Sequence, residues 1–284
     1  MLTTDLTGNI GDHITRYLLC RTVAEKNNYK WSINRKTSHD YYNGMEQMNF
    51  FNIDYGLPND TPYGQLPEGI TNIWEEKVEH YDTYNYVPYQ PDVFDVLDNT
   101  KLVINCAHDA NYYNRDKITK WLKIKDENIK EYKDILFSHN IDLEDENLCV
   151  LNCRGGEYRG VPSLFLEENY WKNAIQNMLH RNPKMKFMVV TEDPEYFRKV
   201  FSCPVCHFNI GCDYYIVNNA KNLIISNSAF GIFSSWTNQN NPYVIAPKYW
   251  ARHNCSTGYW ANSDIKSFGW NFMDRNGTLD KIEH

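Results

Sequence analysis

No apolar run in this sequence is long enough to span a bilayer, and its mean hydropathy is −0.64. The opening residues, Met1-Leu2-Thr3-Thr4-Asp5, offer neither a basic n-region nor an apolar h-region, so no secretory signal is expected and the chain reads as soluble and intracellular. Basic residues are in deficit: 29 Lys and Arg stand against 36 Asp and Glu, for a formal charge of −7. That balance argues against nucleic acid as a main partner, because phosphate neutralisation along a strand needs a basic face. A single bound nucleotide needs only a local cluster of donors and stays open. The glycine loop Gly8-Asn9-Ile10-Gly11-Asp12-His13 lacks the Gly-Lys-Ser/Thr ending of a P-loop and does not match the dinucleotide fingerprint. No internal repeat or low-complexity tract is evident.

What is present suffices for a large core. The 284 residues are 42% apolar and 15% aromatic, enough for one large domain or two modest ones. Of the eight cysteines, Cys20, Cys106, Cys149, Cys153 and Cys255 are scattered, several within apolar patterns, as buried thiols are in a reducing compartment. Cys203-Pro204-Val205-Cys206-His207, with Cys212 behind, has the spacing of a zinc half-site. Four ligands that close together leave no second half to clamp, so structural thiols are the expectation and no metal is assigned.

The patterning divides the chain. Residues 8–26 predict a helix, with Ile14, Tyr17, Leu18 and Val23 near helical spacing and Asp12 as its cap. Residues 31–33 and 101–105 predict strands, residues 126–137 a helix, and the Tyr-, Asn- and Pro-rich stretch between 35 and 100 mostly loops. The polar run 138–147 predicts a boundary, giving domains at 1–145 and 146–284, with the last residues expected to pack back on the first half. From residue 148 strands and helices alternate. Strands are expected at 148–152, 186–190, 205–208, 223–225 and 243–245. Helices are expected at 167–180, 195–200, 213–220 and after Gly231 to Trp236. Such alternation predicts an α/β fold with a parallel sheet and right-handed crossovers.

Three strand-to-helix turns in this half carry polar groups: Asn152/Arg154/Gly156/Glu157, Thr191/Glu192/Asp193 and Ser226/Asn227/Ser228. In a parallel sheet all three emerge on one edge, where ligands bind. Arg154 suits a phosphate or diphosphate, beside glycines whose N–H groups would also be exposed to it. Asn227, Ser228 and the N–H groups opening the next helix suit further phosphate oxygens. Asp193 or Glu192 could accept hydrogen bonds from a ribose or from guanine. Taken singly, each turn also reads as a helix cap; three in register, one bearing an arginine, favour a ligand site.

The same segments resemble the α-1,2-fucosyltransferase family, which transfers L-fucose from GDP-L-fucose. The family's Gly-Gly-Leu-Gly-Asn-Gln opening falls on Gly8-Asn9-Ile10-Gly11-Asp12-His13, and its His-Ile-Arg-Arg-Gly-Asp-Tyr on Asn152-Cys153-Arg154-Gly155-Gly156-Glu157-Tyr158. A Phe-Ser-Asp-Asp-Pro segment falls on Val190-Thr191-Glu192-Asp193-Pro194. Its Ile-Ile-Ala-Asn-Ser-Thr-Phe segment falls on Ile224 to Phe230, and Val-Ile-Ala-Pro-Lys-x-Trp on Val244 to Trp250. The match covers residues 148–250 and the first 26, and misses about 35–140.

The resemblance implies a GT-B architecture, two Rossmann-like domains facing a cleft, the second holding the GDP-sugar and the first the acceptor side. It implies an inverting, metal-independent glycosyltransferase with no cofactor beyond the GDP-sugar donor, forming an α-1,2 linkage to a galactose-type hydroxyl. Implied catalytic residues are Arg154, with Glu157, His13 or Asp12 as the base. Implied donor contacts are Asn152, Arg154, Gly156, Tyr158, Glu192, Asp193, Ser226, Asn227, Ser228 and Phe230, with Gly8, Asn9 and Gly11 from the first half. Implied partners are a nucleotide-sugar donor and an oligosaccharide or glycolipid acceptor, with any membrane contact peripheral. Animal members carry an N-terminal anchor, and its absence implies a bacterial or viral protein acting in the cytoplasm. Two departures stand out: the family histidine is Asn152, and the second arginine of its pair is Gly155. They leave open another nucleotide-linked sugar as donor, or a glycan- or nucleotide-binding protein that has lost catalysis.

Overall fold

A computed structural model describes residues 1–34, 44–62, 65–81, 84–251, 253 and 268–280. The chain separates into two compact units, one mainly Met1–Tyr81 with Asn85–Lys125, the other mainly Asp126–Trp260 with Ile265–His284. Cys255 lies outside the described residues.

The first unit is built on a four-stranded sheet of order β2-β1-β6-β3, whose pairings are parallel. Its strands are β1 (Leu2–Asp5), β2 (Trp31–Asn34), β3 (Asn72–Glu75) and β6 (Thr100–Val103); β4 (Glu79–Tyr81) and β5 (Tyr84–Tyr86) form a separate two-stranded sheet. Helix α1 (Ile10–Asn27) follows β1 and buries Ile14, Tyr17, Leu18, Leu19 and Val23 completely, which holds it to the sheet. Its cap is Asn9 rather than the expected Asp12. Asp12 is the third helical residue, and its carboxylate accepts the Asn9 N–H at 2.9 Å, half of a capping box. The helix ends at Asn28, whose left-handed φ of 56° lets its N–H reach back to the carbonyls of Ala24 and Glu25. Two short helices, α2 (Gly44–Gln47) and α3 (Arg115–Trp121), also belong to this unit.

The second unit begins with α4 (Asp126–Ser138), ahead of the boundary expected at residue 145, and Tyr132 of that helix lies 5.9 Å from Tyr215 of the same unit. Its sheet has the order β12-β11-β10-β7-β8-β9, again with parallel pairings. The strands are β7 (Leu148–Cys153), β8 (Lys186–Thr191), β9 (Val205–Cys206), β10 (Asn222–Ile225), β11 (Tyr243–Pro247) and β12 (Asn271–Met273). Helices α5 (Glu168–Arg181), α6 (Pro194–Val200), α7 (Ile210–Asn219) and α8 (Ala229–Trp236) connect them. Counted from β7, this is the doubly wound dinucleotide-fold order, 3-2-1-4-5-6. Leu151, Val189, Ile224 and Ile245 form its core with Trp171 and Phe197. The expected strands and helices from residue 148 onward are present. Two starts move: α8 opens at Ala229, ahead of Gly231, and α7 opens at Ile210, capped by Asn209, whose side chain accepts the Cys212 N–H at 2.8 Å. Asp213, where that helix was expected to begin, instead takes the imidazole of His207 at 2.6 Å. The last described strand, β12, joins β11, so residues 271–280 belong to the second unit.

Candidate functional site

A doubly wound sheet has one place where consecutive connections leave in opposite directions, and ligands bind outside the strand ends there. In the second unit that place lies between β7, which leads to β8 on one side, and β10, which pairs on the other. The sequence-derived candidates Asn152, Arg154, Ser226, Asn227 and Ser228 all sit at these two strand ends. Asn152 pairs with Ile225 across the junction, and its carbonyl accepts the Ser226 N–H at 3.0 Å.

Arg154 is the first residue past β7. Its side chain is 17% exposed, lies over the Tyr158 ring at 5.1 Å, and is held by two carboxylates. Nη1 donates to Glu192 Oε1 at 2.8 Å and Nη2 to Glu157 Oε1. Burial works against its charge, but Glu192 and Glu157 outweigh that and hold the guanidinium above its ordinary pKa. Arg154 is thus a fixed, permanent cation at the switch point.

The glycine turn after it is differently employed from the sequence expectation. The Gly155 N–H donates to Glu192 Oε1 at 2.8 Å, and the Gly156 N–H to Asp193 Oδ2 at 3.1 Å. These amides are therefore committed to carboxylates and do not stand open to a phosphate. Asp193 Oδ2 also receives Arg159 Nη1 at 3.1 Å, while Oδ1 caps α6 through the Tyr196 N–H at 3.4 Å. Although burial pushes the Asp193 carboxyl up, Gly156, Arg159 and Tyr196 together hold it below the usual carboxylate range. Glu192 and Asp193 thus form a clamp, each taking one glycine amide and one arginine from the turn after β7. This duty differs from the ribose or guanine contact expected of them. Arg159, on the 3-10 turn Gly156–Gly160, was not singled out from sequence; no periodicity or motif marks it.

At the end of β10, Asn227 is likewise occupied by the fold. Its amide donates to the carbonyls of Leu164, at 2.9 Å, and Trp250, so its donors tie two loops to the sheet edge instead of facing phosphate oxygens. Ser226 is 1% exposed, and its hydroxyl has no hydrogen-bond partner among the described residues. Ser228 is the N-cap of α8, yet its side chain makes no capping bond. Phe230 packs edge-on against Tyr214 at 5.6 Å. Gly231 admits Asn152: a Cβ there would lie 2.8 Å from Asn152 Oδ1.

The candidates Gly8, Asn9, Gly11, Asp12 and His13 form their own group in the first unit, after β1. Gly8 has a φ of 82°, and a Cβ on it would collide with Asp12 Oδ2. Gly11 is buried within α1 and accepts the Thr15 hydroxyl at 2.9 Å. His13 is fully buried; burial, with Arg16 nearby, pushes its pKa down to about 4. A general base must reach the proton it takes, and burial withdraws His13 from that role. Missed from sequence was Glu76, 1% exposed, whose carboxylate accepts the N–H groups of Asn105, Cys106 and Ala107 at 2.6–2.9 Å. Burial raises its pKa despite those donors.

Near the zinc-like spacing, His207 is paired with Asp213 and Cys212 is buried in α7. No group of three or more His, Cys, Asp or Glu among the described residues is placed to hold a metal. No described helix is long and apolar enough to cross a membrane.

Fold and site together define an α/β protein with two parallel sheets and an arginine fixed at the switch point of the second. No family model matches the chain. It is similar to the O-antigen biosynthesis glycosyltransferase WbnK of Escherichia coli, at 23% identity, over 58% of this chain and 62% of that protein. The chain thus matches less than two thirds of that relative's length. Among solved structures, the fucosyltransferase NodZ from Bradyrhizobium aligns with a TM-score of 0.49 at 13% identity, covering 83% of this chain and 91% of that one. POFUT1 in its apo form aligns with a TM-score of 0.47 at 7% identity, covering 86% and 97%. The assignment of the second sheet rests on the strand order of the chain itself.

Proposed function

We propose that this chain is an inverting, metal-independent glycosyltransferase that moves L-fucose from GDP-L-fucose to a galactose-type hydroxyl of an oligosaccharide, forming an α-1,2 linkage. The observation that carries the reading is Arg154, a partly buried, oriented cation at the β7–β10 switch point. Departure of GDP builds negative charge on a diphosphate, and a preorganised guanidinium stabilises that charge without a divalent cation. The Ser226 hydroxyl, Ser228 and the N-terminus of α8 are further donors at the same junction. Glu157, 58% exposed beside Arg154, is the carboxylate best placed to take the acceptor's proton. The likeness to an O-antigen glycosyltransferase supports glycosyl transfer; donor, linkage and acceptor are carried by the sequence resemblance.

The test is a thermal-shift comparison of GDP, UDP, CDP and dTDP, each with and without Mg²⁺, followed by a transfer assay with GDP-L-fucose and galactosides. A ligand at about a hundred times its dissociation constant adds roughly 2.7 kcal/mol. The expected result is a shift with GDP, independent of Mg²⁺, and a fucosylated product. A shift with a different nucleotide moves the reading to another donor sugar. GDP binding without any product from any galactoside overturns the enzyme reading in favour of a nucleotide- or glycan-binding protein.

A further inference from the structure

The sequence offers Asp193 as an acceptor for a ribose or guanine, but the fold engages both of its oxygens. Oδ1 takes the Tyr196 N–H, and Oδ2 takes the Gly156 N–H and Arg159 Nη1. What stands on this flank of the sheet edge is therefore a donor, the Arg159 guanidinium. It belongs to the turn Gly156–Gly160 after β7 and is tied to the opening of α6, which follows β8.

Arg159 is held in one plane. Its guanidinium carbon lies 4.5 Å from the centre of the Tyr196 ring, and that ring is set edge-on to Phe165 at 5.7 Å and to Phe197 at 5.0 Å. A guanidinium carries five N–H donors in a fixed fork. Nη1 alone is bonded to a described residue, and the side chain is 49% exposed. Stacking and the Asp193 pair thus orient the fork and leave most of it uncommitted.

Its place decides which part of a nucleotide it meets. The donors suited to a diphosphate, Arg154, Ser228 and the N-terminus of α8, gather where β7 and β10 part, whereas β8 lies on the other side of β7. Arg159 is anchored on that other side, the flank left for the nucleoside. Two parallel N–H groups match two neighbouring acceptors on a planar ring, and guanine has such a pair in O6 and N7.

We propose that Arg159 reads the base of the donor nucleotide, its uncommitted N–H groups donating to guanine O6 and N7. The proposal rests on the nucleotide-sugar reading above. It makes a specificity-determining residue of a side chain that no sequence motif marks.

Titration calorimetry of the whole chain with GDP and with 7-deaza-GDP, which has carbon in place of N7, tests the contact. The parent should bind 7-deaza-GDP about three- to tenfold more weakly than GDP. Arg159→Gln should bind the two ligands alike, as should Arg159→Lys, which keeps a cation beside Asp193 but not the fork. A parent that binds GDP and 7-deaza-GDP equally would overturn the base contact while sparing the nucleotide reading. Variants that weaken both ligands by one factor and keep the parent's preference would overturn it too, because a phosphate contact or a supporting role in the clamp acts on both alike. No GDP binding by the parent would sink the nucleotide-sugar reading and this contact with it.

Discussion

Gly155 lies against Asp193 so closely that a Cβ on Gly155 would sit 2.6 Å from the Asp193 Cβ, with Phe197 Cε2 at 3.0 Å behind it. This contact gives a steric reason for one of the two sequence departures. The second arginine of the pair in the family that the sequence resembles falls on this position, and the clamp between the turn and α6 leaves it no room. Gly155→Ala is expected to destabilise the chain by about 1–3 kcal/mol through overpacking, read from urea denaturation. Gly155→Arg should cost at least as much and should not tighten GDP binding. An arginine there that strengthens binding at unchanged stability would show the contact to be yielding.

Arg154→Ala removes the cation at the switch point and leaves Glu157 and Glu192 facing each other without it. Losing a charge-assisted contact to a leaving diphosphate should cost on the order of 2–4 kcal/mol in transition-state binding, a drop of about a hundredfold or more in kcat/KM. Steady-state kinetics with GDP-L-fucose give the number. Near-parental kinetics would remove Arg154 from the site.

Asn227→Ala separates an architectural role from a ligand-binding one. The side chain is 1% exposed and bonds two backbone carbonyls, those of Leu164 and Trp250. Leaving those acceptors unmet should cost about 1–3 kcal/mol in the absence of any nucleotide. The melting temperature without ligand is the measurement. A variant that melts like the parent, yet loses GDP binding, would return Asn227 to the phosphate site.

Acid should weaken each unit through its buried histidines. Burial, with Arg16 adding to it, pushes His13 of the first unit down to about 4 and His108 to about 3; burial also pushes His253 of the second down to about 4, against a smaller opposing pull from Asp274. Unfolding would return each to about 6.5. Between those values the unfolded chain binds protons that the folded chain refuses, so stability falls as pH drops from about 6.5 to about 4. Each histidine contributes up to about 1.4 kcal/mol per pH unit across that window. Denaturation curves from pH 7 to 4.5 should show this slope, and His253→Phe should flatten it for the second unit. A parent whose stability falls no faster over that range than that of His253→Phe would contradict the burial of His253.

The second unit was legible because its strands are buried on both faces and read as apolar runs, such as Val150-Leu151 and Leu223-Ile224-Ile225. In the first unit β1 escaped notice because two of its four residues are threonines. Both are buried, and the Thr4 hydroxyl is satisfied by the Leu102 carbonyl at 2.8 Å, a partner 98 residues along the chain. β3 was hidden by its exposure, with Ile73 59% accessible and no apolar run around it. At the site, residue types and their placement on one sheet edge were readable, but their partners were not. Whether Glu192 meets a ribose or the Gly155 amide depends on how β7 and β8 end relative to each other, and spacing along one chain does not encode that.

The strand order has a kinetic side as well. β7 meets β8 after one helical crossover, but its other neighbour, β10, arrives about seventy residues later, as the pairing of Leu151 with Ile224 shows. Closing that larger loop carries the greater entropy cost, and long-range parallel pairing forms slowly. Nascent chain ending before β10 would already carry Arg154 and its clamp, yet would lack the strand end on the other side of the switch point. The switch point is thus a late seam in assembly, and the candidate site is completed at the step that closes this sheet.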